Sequence, residues 1–306
     1  MHPQRVAVID CGTNTFNLLV AEKKGDGWKF LCRRKRVVKL GSQGIRNRMI
    51  GPIPARKALT ALMDYKELIT GYRVDKTIIH GTAALRDAIN GPVLLGEIKK
   101  KTGFTIELID GDREAFLIYK GVQSAMTLPE SCSLIMDIGG GSTEFILCNN
   151  KKILWKKSFR LGAARLAETL APSDPIRPKE VAELNKLLEK ELESLLQACA
   201  KFKPERLIGS SGSFDTFANI ILRKSNLKLG RKTHYVFKLS EYRTLHRELL
   251  SSTYKERLRI PGMLKMRADM ILLASLLLTF VLRKAIINEI HLSTHALKEG
   301  ILADLK

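Results

Sequence analysis

Hydrophobic and polar positions follow one pattern twice in this chain. In the first stretch Val6, Ala7, Val8 and Ile9 lead to Asp10, a Cys11-Gly12-Thr13-Asn14-Thr15 segment follows, and Leu18-Leu19-Val20 resumes the apolar run. In the second, Leu134, Ile135 and Met136 lead to Asp137, Ile138-Gly139-Gly140-Gly141-Ser142-Thr143 follows, and Phe145-Ile146-Leu147 resumes it. Each reads as a strand that delivers an aspartate to its end, a turn rich in Gly, Thr, Asn and Ser, and a returning strand. Glycine permits the positive φ angles of such turns and lets backbone approach a ligand. Successive turn amides then form a small anion nest, to which hydroxyls add. One such segment is a β-hairpin and little more. Two, each led by an aspartate, point to a duplicated fold whose halves grip a phosphate chain from both sides.

Around these hairpins the pattern predicts a βββαβαβα first half. A Gly25-Asp26-Gly27 turn leads into a third strand over 28–32, Gly51-Pro52 punctuates, and helical spacing runs over 55–69. A β-branched strand over 77–80 ends in Gly81-Thr82-Ala83-Ala84-Leu85-Arg86. A helix over 92–102, a strand over 105–109 and a helix over 111–125 follow. The second half opens the same way, with strands over 133–137, 143–148 and 153–159. Proline-rich 172–178 leads into a long helix over 179–201. There Val181, Leu184, Leu188, Leu195, Cys199 and Phe202 form an apolar stripe suited to covering a sheet, with coiled-coil pairing as the alternative. A strand over 206–209, helices over 213–223 and 266–282, a strand over 289–293 and a helix over 296–305 complete an α/β layer architecture.

The chain's 306 residues suffice for two domains with separate cores, expected at 1–125 and 126–295, with 296–306 packing back on the first. The 45% apolar but only 6% aromatic content predicts aliphatic cores. Lys and Arg outnumber Asp and Glu by 52 to 31, a net charge of +21. That excess favours an anionic partner: nucleic acid, an acidic membrane or a polyanionic small substrate. A general basic bias is the plainer alternative. The runs Arg33-Arg34-Lys35-Arg36, Lys99-Lys100-Lys101, Lys151-Lys152 and Lys156-Lys157 lack the interleaved aromatics of single-strand nucleic-acid binders, so no specific nucleic-acid partner is expected. Together they could steer a polyanion. Five scattered cysteines without a CxxC pair fit a reducing cytoplasm. Strand-like sequence begins by Arg5, so no signal peptide is expected. The longest apolar run, 270–282, is too short to span a bilayer and reads as a buried helix. His291 and His295 are not expected to bind metal.

Candidate chemistry sits beside the turns. Asp10 and Asp137 stand at the carboxyl ends of apolar strands, where a carboxylate can hold a divalent cation or orient water. A strand-end aspartate also caps its own turn; the matched pair favours function. Glu144 interrupts an otherwise apolar returning strand one step from the turn, and reads as a cation or water ligand. Glu114 opens a helix after Asp110-Gly111-Asp112, where first-turn acids complement the helix dipole. Arg86 is either a helix-surface arginine or a bidentate phosphate clamp.

Asp-x-Gly-Thr-Asn-Thr at 10–15, Gly-Thr-Ala-Ala-Leu-Arg at 81–86, Asp-Gly-x-x-Glu-Ala-x-Leu at 110–117 and Asp-Ile-Gly-Gly-Gly-Ser-Thr-Glu at 137–144 together resemble the exopolyphosphatase / guanosine pentaphosphate phosphohydrolase family. Arg267-Ala268-Asp269 and Ser293-x-x-Ala296-x-Lys298-Glu299-Gly300 extend the resemblance across essentially the whole chain. It implies two actin-like, ribonuclease H-like domains of the sugar kinase/chaperone/actin superfamily, with the site in the cleft between them. It also implies Mg²⁺-dependent release of terminal phosphate from polyphosphate or guanosine pentaphosphate. Glu114 matches the family's catalytic base, Asp137 and Glu144 its acidic partners, and Arg86 a phosphate-contacting arginine. Thr13, Asn14 and Thr15 match one phosphate loop, Gly139, Gly140, Gly141 and Ser142 the other, and Gly212 and Ser213 a third contact. Asp10, Asp137 and Glu144 are the expected metal ligands. Three departures stand out. Asn17 occupies a position often basic in relatives. Lys298 replaces an arginine and cannot form its planar fork. The chain ends at Lys306 without the further helical domain of longer relatives, which predicts a weaker grip on long polymers. A binding protein that senses the same ligands without turnover, and a phosphotransferase of the same superfamily, remain alternative readings; a homodimer is the assembly open to it.

Overall fold

The computed structural model describes residues 3–42 and 44–305. β1 (Arg5–Cys11), β2 (Thr15–Lys24) and β3 (Gly27–Val37) form an antiparallel meander. After α1 (Pro52–Gly71), β4 (Lys76–Gly81) joins β1 in parallel. α2 (Ala83–Asp87) and α3 (Gly91–Thr102) then lead to β5 (Glu107–Leu108), parallel to β4, and α4 (Gly111–Ala125) leaves the sheet. The strand order is β3-β2-β1-β4-β5. Between Arg5 and Asp10, β1 is apolar because both its faces are covered. Ala7 and Ile9 pack with Leu62 and Tyr65 of α1 and Ile98 of α3, while Val6 and Val8 pack with Leu117, Ile118 and Val122 of α4.

The second half repeats this plan. β6 (Ser133–Ile138), β7 (Thr143–Cys148) and β8 (Ile153–Phe159) form the meander. α5 (Ala163–Leu170), α6 (Pro178–Glu191) and α7 (Glu193–Phe202) precede β9 (Arg206–Ser210), parallel to β6. α8 (Ser211–Lys224), β10 (His234–Phe237), α9 (Leu239–Ser251) and α10 (Tyr254–Arg257) follow, then a 3₁₀ turn at Lys265–Arg267 and α11 (Ile271–Lys284). β11 (Glu289–Ser293) lies parallel to β9 and carries β10 antiparallel on its outer edge; α12 (Leu297–Asp304) ends the chain. The order β10-β11-β9-β6-β7-β8 is the first sheet's plan with one added edge strand, so the molecule is a duplicated actin-like, ribonuclease H-like α/β fold. Leu134, Met136 and Phe145 face a large core built with Leu184, Leu188, Phe214, Phe217 and Leu276. The 179–201 stripe therefore covers a sheet.

α4 and α12 lie between the two sheets. Leu117 and Ile118 of one helix and Leu297 and Ile301 of the other share a cluster with Val8 and Leu19 from the first sheet and Ile135 and Ile208 from the second. The helices cross so closely that a Cβ on Gly121 would lie 2.1 Å from the Ala296 carbonyl oxygen, and one on Gly300 1.7 Å from that of Leu117. Among the described residues, no helix is long and apolar enough to cross a membrane.

The structure departs from the predicted elements in a few places. The helix expected over 179–201 is interrupted at Leu192, which has φ −96° and ψ 11° yet stays buried, so the apolar stripe continues through the break. The helix expected over 266–282 divides because Arg267 turns toward the interdomain cleft before α11 begins. The strand expected over 105–109 shrinks to two residues at the sheet edge, where it pairs with β4 alone. α2, α5, α9, α10 and β10 were not anticipated; each is short or lies in polar-rich sequence.

Candidate active site

Both aspartate-led turns end at one cleft that opens to solvent. In the first turn Gly12 N–H donates to the Thr15 carbonyl at 3.1 Å, and the Asn14 carbonyl accepts from the amides of Val38 and Lys39, both at 3.0 Å. In the second, the Gly139 carbonyl accepts from Ala163 N–H at 2.9 Å, and that of Gly140 from the amides of Ala164 and Arg165, both at 3.0 Å. Arg165 Nε donates to the Gly141 carbonyl at 2.8 Å. With these carbonyls held by protein, the amides of Thr13, Asn14, Gly139, Gly140 and Gly141 meet no backbone acceptor among the described residues. Donors left this way at a cleft wall form an anion-binding surface. The two turns also touch. A Cβ on Gly140 would lie 2.5 Å from Asn14 Nδ2 and one on Gly141 2.7 Å from Thr13 Oγ1, so only glycine permits the approach.

Strand alternation places the carboxylates. Val6 and Val8 point into the α4/α12 layer, and Asp10 continues their row to the cleft; Ile135 and Asp137 do the same on β6. Glu144 stands opposite Asp137 in the β6–β7 register and continues the row of Ile146 and Cys148. On α4, Glu114 lies one turn before Ile118 on the same face. The four acids thus extend the apolar layer between the sheets. Asp137 accepts from Ser210 Oγ at 2.7 Å, Glu144 from Ser158 Oγ at 2.6 Å, and Asp10 from Asn17 Nδ2 at 3.0 Å. Glu114, 7% exposed, accepts from Arg86 Nη1 at 3.2 Å. A buried, paired glutamate is more than a dipole complement, and the helix start is capped separately by Asp110, which accepts from Arg113 N–H at 2.7 Å.

Burial dominates the electrostatics. It pushes the Glu114 carboxyl well above the carboxylate range, aided by Glu144 and opposed by Arg86. Glu144 rises to about 7, through burial and then Asp137, with the Ser158 hydroxyl opposing. Asp10 rises to about 6 through burial, with Asn17 opposing. Asp137 is raised by burial against the Ser210 hydroxyl. Each of these groups is thus less acidic than it would be in water.

Thr13, Asn14, Thr15, Gly139, Gly140, Gly141, Ser142 and Gly212 all line the cleft with Asp10, Glu114, Asp137 and Glu144. Two expected residues do not. Ser213 is fully buried behind the wall, its hydroxyl donating to the Ile138 carbonyl at 3.3 Å. Arg86 stands behind Glu114 and also donates to the Ile109 carbonyl at 2.7 Å, so it holds the glutamate rather than facing the open cleft. Conversely, Lys35, Asp215, Arg267 and Lys298 line the cleft. Arg267 is 6% exposed, and among the described residues its guanidinium has only Met270 Sδ, at 3.7 Å, as hydrogen-bond partner, leaving donors for a ligand. Lys35 could have been found by alternation along β3, since it stands in register with Asn17 and hence with Asp10. Asp215 and Arg267 carry no such signal.

Among the described residues, no three His, Cys, Asp or Glu side chains are gathered about a point that could hold one metal ion, so Asp10, Asp137 and Glu144 do not form a closed ligand cage. Five carboxylates nevertheless line the cleft against three cations, counting Asp215 with the four above and Lys35, Arg267 and Lys298 opposite them. Where these acids are ionised, a bound cation would offset their surplus against a phosphate ligand. This donor set suits Mg²⁺, which commonly takes one or two carboxylates and completes its shell with phosphate oxygens and water.

Paired amide turns with a buried glutamate beside them, on a duplicated actin-like fold, make a cleft suited to a phosphorylated ligand. The model of the Ppx/GppA phosphatase family matches residues 19–306, and the chain belongs to that family, a group of phosphoanhydride hydrolases. Exopolyphosphatase 2 of Mycobacterium tuberculosis is 27% identical over 317 residues, covering 98% of each chain. Guanosine-5'-triphosphate,3'-diphosphate pyrophosphatase of Aliivibrio fischeri is 24% identical over 98% of this chain, which spans only 59% of that longer relative. The crystal structure of an exopolyphosphatase from Cytophaga hutchinsonii has a TM-score of 0.95 at 39% identity, covering 98% of this chain and 96% of that one.

Proposed function

We propose that the protein releases terminal orthophosphate from inorganic polyphosphate, guanosine pentaphosphate or both, in a Mg²⁺-dependent hydrolysis with Glu114 as general base. The observation that carries this reading is a buried Glu114, held by Arg86, beside two turns whose amides face the same cleft. The turns cradle the terminal phosphoryl group, and Arg267 and Lys298 offset charge further along the chain of phosphates. Water attacks the terminal phosphorus, its proton passes to Glu114, and the bridging P–O bond breaks with its electrons going to the departing phosphate. Asp137 and Glu144, with Asp10 across the cleft, would hold Mg²⁺, which when bound neutralises phosphate oxygens. Polyphosphate is the first substrate to test, because two relatives that match this chain over nearly their full length are named exopolyphosphatases.

Phosphate release from medium-chain polyphosphate and from guanosine pentaphosphate, with and without Mg²⁺, tests this directly. Glu114→Gln should lower the rate by about 100-fold or more, given the usual 10²–10⁴ from general-base help, while retaining substrate binding. Retention of more than about a tenth of the rate would remove Glu114 from this role. Binding without phosphate release by the wild-type chain would favour a sensor, and transfer of the terminal phosphoryl group to a nucleotide acceptor in place of phosphate release would favour a phosphotransferase.

A further inference from the structure

One side chain outside the cleft lining gathers arginines from both halves of the molecule. Asp87, the last residue of α2, accepts from Arg165 Nη2 at 2.8 Å, and Arg160 Nη2 lies 3.0 Å away. Both arginines come from the second half. Arg165 also donates through Nε to the Gly141 carbonyl at 2.8 Å, so one planar fork joins the glycine turn to α2. On the other side, Arg86 adjoins Asp87 in sequence, with Nε 4.0 Å from Asp87 Oδ1, and donates through Nη1 to Glu114. Arg48 Nε holds the Asp87 carbonyl at 3.0 Å. The Asp87 and Arg165 side chains are only 20% and 12% exposed, unlike the exposed ion pairs that contribute little.

We propose that Asp87 and Arg165 are positioning residues whose ion pair fixes the separation between the 139–142 phosphate turn and the Glu114 carboxylate. This rests on the reading of Glu114 as base and of the turn as phosphate cradle. Both partners sit on short elements: α2 is five residues long, and α5, whose first three amides hold the turn's carbonyls, is eight. Glu114 stands on α4, which packs between the sheets, and the turn joins β6 to β7; a displacement of about 1 Å between the two can cost about 10²-fold in rate. The pair also requires an arginine. Lysine matches the charge but not the fork that reaches Asp87 and Gly141 together.

The test uses the intact chain carrying Asp87→Asn, Arg165→Lys, both together, or Arg160→Gln, assayed well below each variant's Tm. Each of the first two should lower kcat by about 10- to 100-fold with KM within about threefold, and the double variant should be no worse than the weaker single one. Arg160, 58% exposed and touching only Asp87 in this network, serves as control, its variant staying within about twofold. Hydrogen exchange read by mass spectrometry gives an arm independent of turnover. In Asp87→Asn, exchange should quicken in 139–144 and 111–116 together, although these segments lie in different halves. Additive losses, an effect on KM alone, activity that simply tracks Tm, or faster exchange confined to α2 and α5 would each overturn the proposal. A wild-type chain that releases no phosphate would sink the hydrolase reading, while the exchange experiment would still decide the linkage.

Discussion

Glu144 shows at the residue scale how a reactive site opposes stability. Its carboxyl is 1% exposed and is raised to about 7, chiefly by burial and next by Asp137. An acid whose folded-state pKa is raised favours the folded state most when protonated. Its stabilising contribution is therefore present below the ordinary carboxylate range and lost as pH rises toward about 7. Glu144→Gln keeps the shape and the acceptor for Ser158 but removes the charge. Calorimetry should show the variant more stable than wild type at pH 8, on the order of 2 kcal/mol, and near equal at pH 4. Activity should fall at both pH values. Equal Tm at pH 8 would show that ionising Glu144 costs the fold nothing, against the raised carboxyl. The Glu114 carboxyl is raised in the same direction, so the acid limb of kcat/KM should lie above the usual carboxylate range, since the base acts in its ionised form.

Between elements, the contact that sets the cleft is the crossing of α4 and α12. Glycine to alanine in a helix interior ordinarily stabilises by about 1 kcal/mol. At Gly300 the sign should reverse, because the added methyl would lie 1.7 Å from the Leu117 carbonyl oxygen. Gly300→Ala should cost about 1–3 kcal/mol in urea denaturation, and a neutral result would show that the helices can separate freely. The sequence led to the expectation that 296–306 packs on the first half, but the close crossing at Gly121 and Gly300 was not legible there. The strands were legible because burial on both faces leaves uninterrupted apolar runs, and the acids because each breaks such a run at its end. Ser213 was misplaced: the helix that begins at Ser211 turns its hydroxyl into the wall, an orientation that a motif does not encode. Arg267 and Asp215 reach the cleft only because α8 and the 3₁₀ turn meet there, and Asp87 became visible only when its partners Arg160 and Arg165 were brought across from the other half.

The net charge of +21 belongs to the whole molecule, and the fold divides it. Within the run 33–36, Arg33 pairs with Glu299 at 3.4 Å and stacks over Phe30, and Arg36 pairs with Asp64 at 3.0 Å. Arg34 faces away from the cleft by strand alternation, and Lys35 alone lines it. The run is therefore not a continuous track. A cleft cation and a surface cation should differ in their response to salt, since each neutralised phosphate contact releases counterions. KM for long polyphosphate should rise more steeply with salt than KM for guanosine pentaphosphate, because chain beyond the cleft meets the remaining basic surface and a nucleotide does not. Lys35→Ser should raise KM for both substrates and lower both salt slopes by about one, the loss expected of a single phosphate contact. Arg34→Ser should leave the nucleotide slope unchanged. Equal slopes for the two substrates would reduce the surface charge to composition, and an unchanged KM in Lys35→Ser would remove that lysine from the substrate's path.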